Sequence, residues 1–158
     1  MKPPTNIHAL LEFDQGATVT LSASWDVWAH RHAPMELYGT DGALFLPDPN
    51  FFGGTVEISR HGAPIEPVAE WAHPLGVPNQ AHATGMLANY RTAGLADMAR
   101  ALIEGCEPRC SLDRALHAID IMTSILKSGE EGRFIDLTTT CTRAPALGIE
   151  AAGALLRG

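Results

Sequence analysis

The sequence predicts an α+β fold: a largely antiparallel, open-faced sheet with helices packed on one face. Three observations predict it. Short alternating runs punctuated by Gly, Pro, Asp and Asn fill the first half. Helical periodicity begins only near Gly94. Strands come first and helices later, without the regular strand–helix–strand alternation of a parallel sheet.

The elements follow in order. Ile7–Phe13 is a short apolar run closed by the turn Asp14-Gln15-Gly16. Ala17–Trp25 alternates, with Ala17, Val19, Leu21, Ala23 and Trp25 on one face and Thr18, Thr20, Ser22 and Ser24 on the other. That period of two predicts a half-buried strand whose second face is polar but uncharged. Met35–Tyr38 and Ala43–Leu46 flank Gly39-Thr40-Asp41-Gly42 and predict a β-hairpin. Pro47-Asp48-Pro49-Asn50 and Gly53-Gly54 are turns. Thr55–Arg60 alternates again with Val56 and Ile58 inward, and Ile65–Trp71 is a weaker strand.

Ala72–Tyr90 has no clear period and reads as a long connecting loop. Gly94–Glu104 predicts a helix buried through Leu95, Met98, Ala99 and Leu102, stopped by Gly105. Ser111 suits an N-cap for a helix over Leu112–Lys127, with Asp113 in its positive first turn. Leu112, Leu116, Ile119, Met122 and Leu126 form one stripe, and Ala118, Ile121 and Ile125 a second. Both sides of this helix are therefore expected to be covered. Gly129 or Gly132 ends it, and Phe134–Leu137 returns as a last strand. One domain over 1–147 and a loose tail over 148–158 complete the expectation.

Net charge is -7 with a pI near 5.4, and the basic residues are scattered. A nucleic-acid partner is not expected, because phosphate binding needs clustered Lys and Arg. No apolar run reaches the roughly 18 residues of a membrane span, and the N-terminus lacks a signal-peptide pattern. Three cysteines argue against a secreted disulfide framework, so a cytoplasmic setting is expected. Cys106, Cys110 and Cys141 read as ordinary thiols.

The best candidate cluster is Trp28, His30, Arg31 and His32. Arg binds carboxylates bidentately and Trp stacks on sugar faces, which suits a hydroxylated or carboxylated small molecule. A polar turn with exposed imidazoles is the alternative. The His-x-His pair lacks a third ligand at defined spacing, so no metal is expected. His117 reads as a buried histidine satisfied by a neighbouring carboxylate or carbonyl, or as a general base. Asp97 and Arg100 read as a surface pair, and Asn50-Phe51-Phe52 as a pocket wall or hairpin packing. Arg91 could approach a ligand or another subunit. No nucleophile elbow is present, and no catalytic residue is assigned.

Taken together, several stretches resemble the C-terminal domain of the glucose–fructose oxidoreductase / inositol dehydrogenase / MocA family. They are Ala9-Leu10-Leu11-Glu12-Phe13 with Gly16-Ala17, Leu37-Tyr38-Gly39-Thr40-Asp41-Gly42 and Pro47-Asp48-Pro49-Asn50. Gly94-Leu95-Ala96-Asp97-Met98-Ala99, Ala115-Leu116-His117 with Met122, and Ser128-Gly129 to Gly132 follow in order. Together they span roughly residues 5–147.

The resemblance implies a substrate-binding and oligomerisation domain of an NAD(P)-dependent oxidoreductase acting on a sugar, polyol or related secondary alcohol. It implies a homo-oligomer formed through the open sheet face. It also implies that the segment holding Trp28, His30, Arg31 and His32 reaches the substrate. The family's Rossmann half holds NAD or NADP and carries a Glu-Lys-Pro motif. This chain has no Gly-x-Gly-x-x-Gly, and its Lys2-Pro3 lacks the glutamate. No cofactor is therefore expected to bind this chain itself. A stand-alone, non-catalytic ligand-binding or scaffold module, or one pairing with a separate Rossmann chain, is the alternative.

Overall fold

The computed structural model describes residues 3–157, so Lys2 of the Lys2-Pro3 pair lies outside the described residues. Its elements are β1 (Asn6–Glu12), β2 (Thr18–Ser24), β3 (Met35–Gly39), β4 (Gly42–Leu46), β5 (Glu57–Arg60), β6 (Glu66–Pro67), β7 (Gln80–His82), β8 (Gly85–Leu87), α1 (Ala93–Glu104), α2 (Leu112–Glu131) and α3 (Ile149–Arg157). A single 3-10 turn, Pro74–Gly76, precedes β7. The fold is α+β and every strand pairing is antiparallel. The expected single sheet is instead three ladders: β1-β2, the meander β3-β4-β5-β6, and β7-β8. Prolines explain the breaks, since each removes a ladder donor. Pro34 precedes the meander, Pro67 sits on its edge strand, and Pro74 and Pro78 separate it from β7.

The chain forms two compact units. One holds residues 1–31 and 119–138, the other 32–118 and 139–158. In the first, β1 and β2 pair in full register from Asn6↔Ser24 to Glu12↔Thr18. The register puts Ile7, Ala9 and Leu11 opposite Ala23, Leu21 and Val19 on one face. The other face is polar, with His8 Nδ1 and Ser22 Oγ 3.1 Å apart. β2 alternates as expected but is not half-buried: all seven of its residues are exposed, because a two-stranded ribbon has no second layer here.

In the second unit, Gly39 and Gly42 close the β3–β4 hairpin around Thr40-Asp41. Gly42 has φ +155°, and a Cβ there would strike the carbonyl oxygen of Ser59 on the neighbouring strand. Only glycine lets β5 approach the turn so closely.

The tightest packing lies where the sequence suggested a loop. Leu75 is 1% exposed, and Ala88, Ala101 and Ala152 are also buried. Residues 72–90 hold the 3-10 turn and the β7–β8 hairpin. Their order comes from contacts across the chain. Asn79 Nδ2 donates to Asn89 O at 3.1 Å, and Asn89 N–H donates to Asn79 Oδ1 at 2.7 Å. Tyr90 Oη donates to Val77 O at 2.8 Å, and Phe52 N–H to Ala88 O at 2.9 Å.

The expected loose tail is a helix. α3 packs on α1 and on the 3-10 turn, with Ala152 0% exposed. Alanine and glycine give no apolar stripe to read, but they allow close approach. Phe134–Leu137, expected as a last strand, forms none, and among the described residues no ladder partner meets it.

The helix limits match expectation better than the helix faces. Gly105, at φ 68°, ends α1, and Cys106 N–H returns to Ala101 O. Ala101 is the buried residue, whereas Leu95, Met98 and Leu102 point outward. Ser111 caps α2, its Oγ 3.4 Å from the Arg114 N–H. α2 runs past Gly129 to Glu131, and no residue in it is buried. The expectation of cover on both sides is therefore corrected: Ile121 and Ile125 are half-buried, while the Leu112–Leu126 stripe is open.

Leu75→Ala is expected to cost about 2–5 kcal/mol, measured by urea unfolding, as an emptied core site does. Gly42→Ala should cost at least about 1–3 kcal/mol from strain and clash. Gly62→Ala, at φ 73° with open space around it, should cost less in the same assay.

Candidate functional site

The segment from Trp25 to Tyr38 carries Trp25, Trp28, His30, Arg31, His32, Glu36 and Tyr38. Its first part is rooted on the β1–β2 hairpin. Trp25 N–H donates to Thr5 O at 2.9 Å. The Asp26 carboxylate accepts from Thr5 Oγ1 at 2.5 Å and Asn6 Nδ2 at 2.6 Å. Asp26 N–H donates to Ser24 Oγ at 3.1 Å, and Ser24 Oγ donates in turn to Asn6 Oδ1. A carboxylate held by two donors fixes the turn, and the aromatic residues project from it. Trp25 is 90% exposed and Trp28 103%.

His30 and Arg31 follow on the same exposed loop, and neither makes a side-chain hydrogen bond among the described residues. Trp28, His30 and Arg31 close the first unit, and His32 opens the second. The four residues therefore do not converge within either unit.

His32 leads into a second arrangement that the sequence reading missed. The Glu36 carboxylate accepts from Tyr38 Oη at 2.6 Å and from Ala33 N–H at 3.1 Å. The Tyr38 hydrogen bond, then the Ala33 N–H, hold the Glu36 carboxyl below its usual range, and the charge of nearby His32 adds to this. The same bond raises the Tyr38 phenol above its usual range. Tyr38 also meets Phe45 edge-on, with centroids 6.4 Å apart. The signal was available: Glu36 and Tyr38 are two apart on a strand and so share a face. A shallow depression of about 300 Å³ lies beyond Tyr38, lined by Thr40, Ser59, Arg60 and His61.

Other candidates resolve into packing. His117 is half-buried rather than buried, and its Nδ1 lies 2.9 Å from Thr139 Oγ1, so a hydroxyl meets it and not the expected carboxylate or carbonyl. Asp97 pairs not with Arg100 but with Arg109, through both its backbone N–H at 2.8 Å and its guanidinium. Arg100 instead pairs with Glu104 one turn on. Phe51 packs on His82 and Phe52 on Tyr90, both edge-on. Cys106, Cys110 and Cys141 are free thiols. Among the described residues, no group of three or more His, Cys, Asp or Glu is placed to hold a metal ion. No helix there is long and apolar enough to cross a membrane.

A dinucleotide needs a Gly-rich turn between a strand and a helix N-terminus that cradles its pyrophosphate. The ladders here are all antiparallel, α1 follows a turn, and the Ser111 side chain already caps α2. The residues present do not fit NAD or NADP.

Residues 2–45 match the family model of the GFO/IDH/MocA C-terminal domain. The match is consistent with a C-terminal domain of that family. It spans β1, β2, the Trp25–His32 loop, β3 and most of β4, and so contains every residue of the candidate cluster. No curated protein and no solved structure matches the chain.

Glu36→Gln is expected to move the Tyr38 phenol back toward its ordinary range. Phenolate absorbance, read in a Tyr90→Phe background, checks it. The signs follow from linkage. Lowered Glu36 contributes stability that is present above the ordinary carboxylate range and is lost as pH falls through its depressed value. Raised Tyr38 contributes stability that is present below the ordinary phenol range and is lost as pH rises through its elevated value.

Proposed function

We propose that this chain is the C-terminal, substrate-binding and oligomerisation portion of an NAD(P)-dependent oxidoreductase acting on a sugar, polyol or related secondary alcohol. The match of residues 2–45 to the GFO/IDH/MocA C-terminal domain carries this reading. In it, the cofactor and the hydride-transfer machinery belong to a separate Rossmann domain. Trp28 supplies an apolar platform, and His30, Arg31 and His32 supply donors for hydroxyl or carboxylate oxygens. The free side chains of His30 and Arg31 support the assignment, since their donors are not spent on the protein itself. Subunits associate through the uncharged Thr18, Thr20, Ser22 and Ser24 face of β2, which is fully open to solvent. The protein acts in the cytoplasm.

An antibody against this domain should detect a native polypeptide larger than 16.9 kDa by roughly 100–150 residues, the size of a Rossmann domain. Detection at 16.9 kDa, with no separate Rossmann chain co-purifying, would sink the reading. In the complete enzyme, Arg31→Ala should raise KM for the substrate about 10–100-fold with little change in kcat. That is the cost of losing a charged hydrogen bond made equally in ground and transition states.

A further inference from the structure

Ladder register puts Tyr38, Ala43 and Ser59 in one row across β3, β4 and β5, on one face of the meander. Residues two apart on a strand share a face, so Glu36 and Phe45 form the next row. Tyr38 is held at two points by that row. Its Oη donates to Glu36 at 2.6 Å, and its ring meets Phe45 edge-on. Tyr38 is nevertheless 74% exposed. A ring fixed in orientation yet open to solvent is a preorganised platform for a ligand. Ala43 and Ser59 are too small to fill the space beside it, and the depression of about 300 Å³ lies there.

Gly42 pairs with Arg60, so the β3–β4 turn and the turn after β5 rim this depression from the same end of the sheet. The first turn brings Thr40, the second Arg60 and His61. Two bonds close the second turn: Ala63 N–H donates to Arg60 O at 2.9 Å, and Ser59 Oγ to Ala63 O at 3.2 Å. Arg60 Nη1 donates to Glu66 at 3.0 Å. The other guanidinium donors and the His61 imidazole make no side-chain bond among the described residues.

We propose that this depression is a binding site for a neutral sugar ring, whose C–H face lies on Tyr38 and whose hydroxyls meet Thr40, Arg60 and His61. Charge and shape select this class. Glu66 already answers the Arg60 cation, and Asp41 stands in the adjoining turn, so a free anion finds no net positive field. A purely apolar ligand would cover the hydroxyl, imidazole and guanidinium donors without satisfying them. A sugar ring offers both an apolar face and an edge of hydroxyls that donate and accept. The site lies wholly within the second unit, holds none of Trp28, His30, Arg31 and His32, and does not rest on the enzyme reading.

Titration of the isotope-labelled full chain with methyl β-D-glucopyranoside, followed by amide chemical shifts, tests it. Saturable shifts are expected at Thr40, His61 and Gly62, with a Kd of about 1–10 mM, the range open to about a dozen heavy atoms on a shallow surface. Tyr38→Ala should weaken binding about tenfold, as loss of one aromatic contact does. His61→Ala, on an exposed turn, should weaken it about 3–10-fold through one lost hydrogen bond. Unchanged amide shifts elsewhere show that both variants fold. Absence of saturable shifts at these amides up to about 100 mM overturns the proposal, as does binding that neither variant weakens. Larger shifts at the same amides from sodium phosphate overturn it in favour of an anion site. Shifts confined to residues 28–32 also overturn it, and leave the Trp28–His32 cluster standing.

Discussion

One clamp organises the larger unit. His73 uses both ring nitrogens: Nδ1 accepts from Leu75 N–H at 3.3 Å, and Nε2–H donates to Leu147 O at 3.0 Å. A backbone N–H can only donate and a carbonyl can only accept, so these two partners fix the tautomer. Trp71 leans on the ring at 5.0 Å and restricts its orientation. The first bond starts the 3-10 turn that buries Leu75. The second brings residue 147 to that turn, immediately before α3 begins. Ala152 then reaches full burial, and α3 touches α1. The clamp thus joins the turn that buries Leu75 to the residue that leads into the helix of Ala152. Among the described residues the buried apolar side chains are one leucine and three alanines, a small core with few other contacts to hold it.

That core also explains which parts of the fold were legible in the sequence. The β3–β4 hairpin was legible because its turn chemistry is local: two glycines bracket two polar residues, and the flanking runs alternate. The ends of α1 and α2 were legible for the same reason, through Gly105 and the Ser111 hydroxyl. Residues 72–90 were not. Their structure is written by Asn79 meeting Asn89, Tyr90 meeting Val77 and Phe52 meeting Ala88, pairings with no periodicity to reveal them. α3 escaped notice because its buried residue is an alanine among alanines and glycines. The helix faces misled because the larger side chains were read as inward, while in α1 the closest packing belongs to Ala101.

The candidate site divides along similar lines. Residue types alone pointed to Trp28, His30, Arg31 and His32. What the sequence did not show is how the loop is held. Asp26, an acid between two tryptophan-bearing positions, spends its charge on Thr5 and Asn6 and anchors the loop to the hairpin. Glu36 has the parallel role on the other side, tied to Ala33 and Tyr38. Each carboxylate is committed to its own loop, and of the cationic side chains between them only His32 feels one of these charges, that of Glu36.

Apolar side chains are exposed in stripes on the β1–β2 ribbon and along α2. Val19, Leu21 and Trp25 continue one face of the β1–β2 ribbon, and five large residues line the open side of α2. Isolated exposed residues need no explanation, but contiguous stripes at strand and helix spacing do.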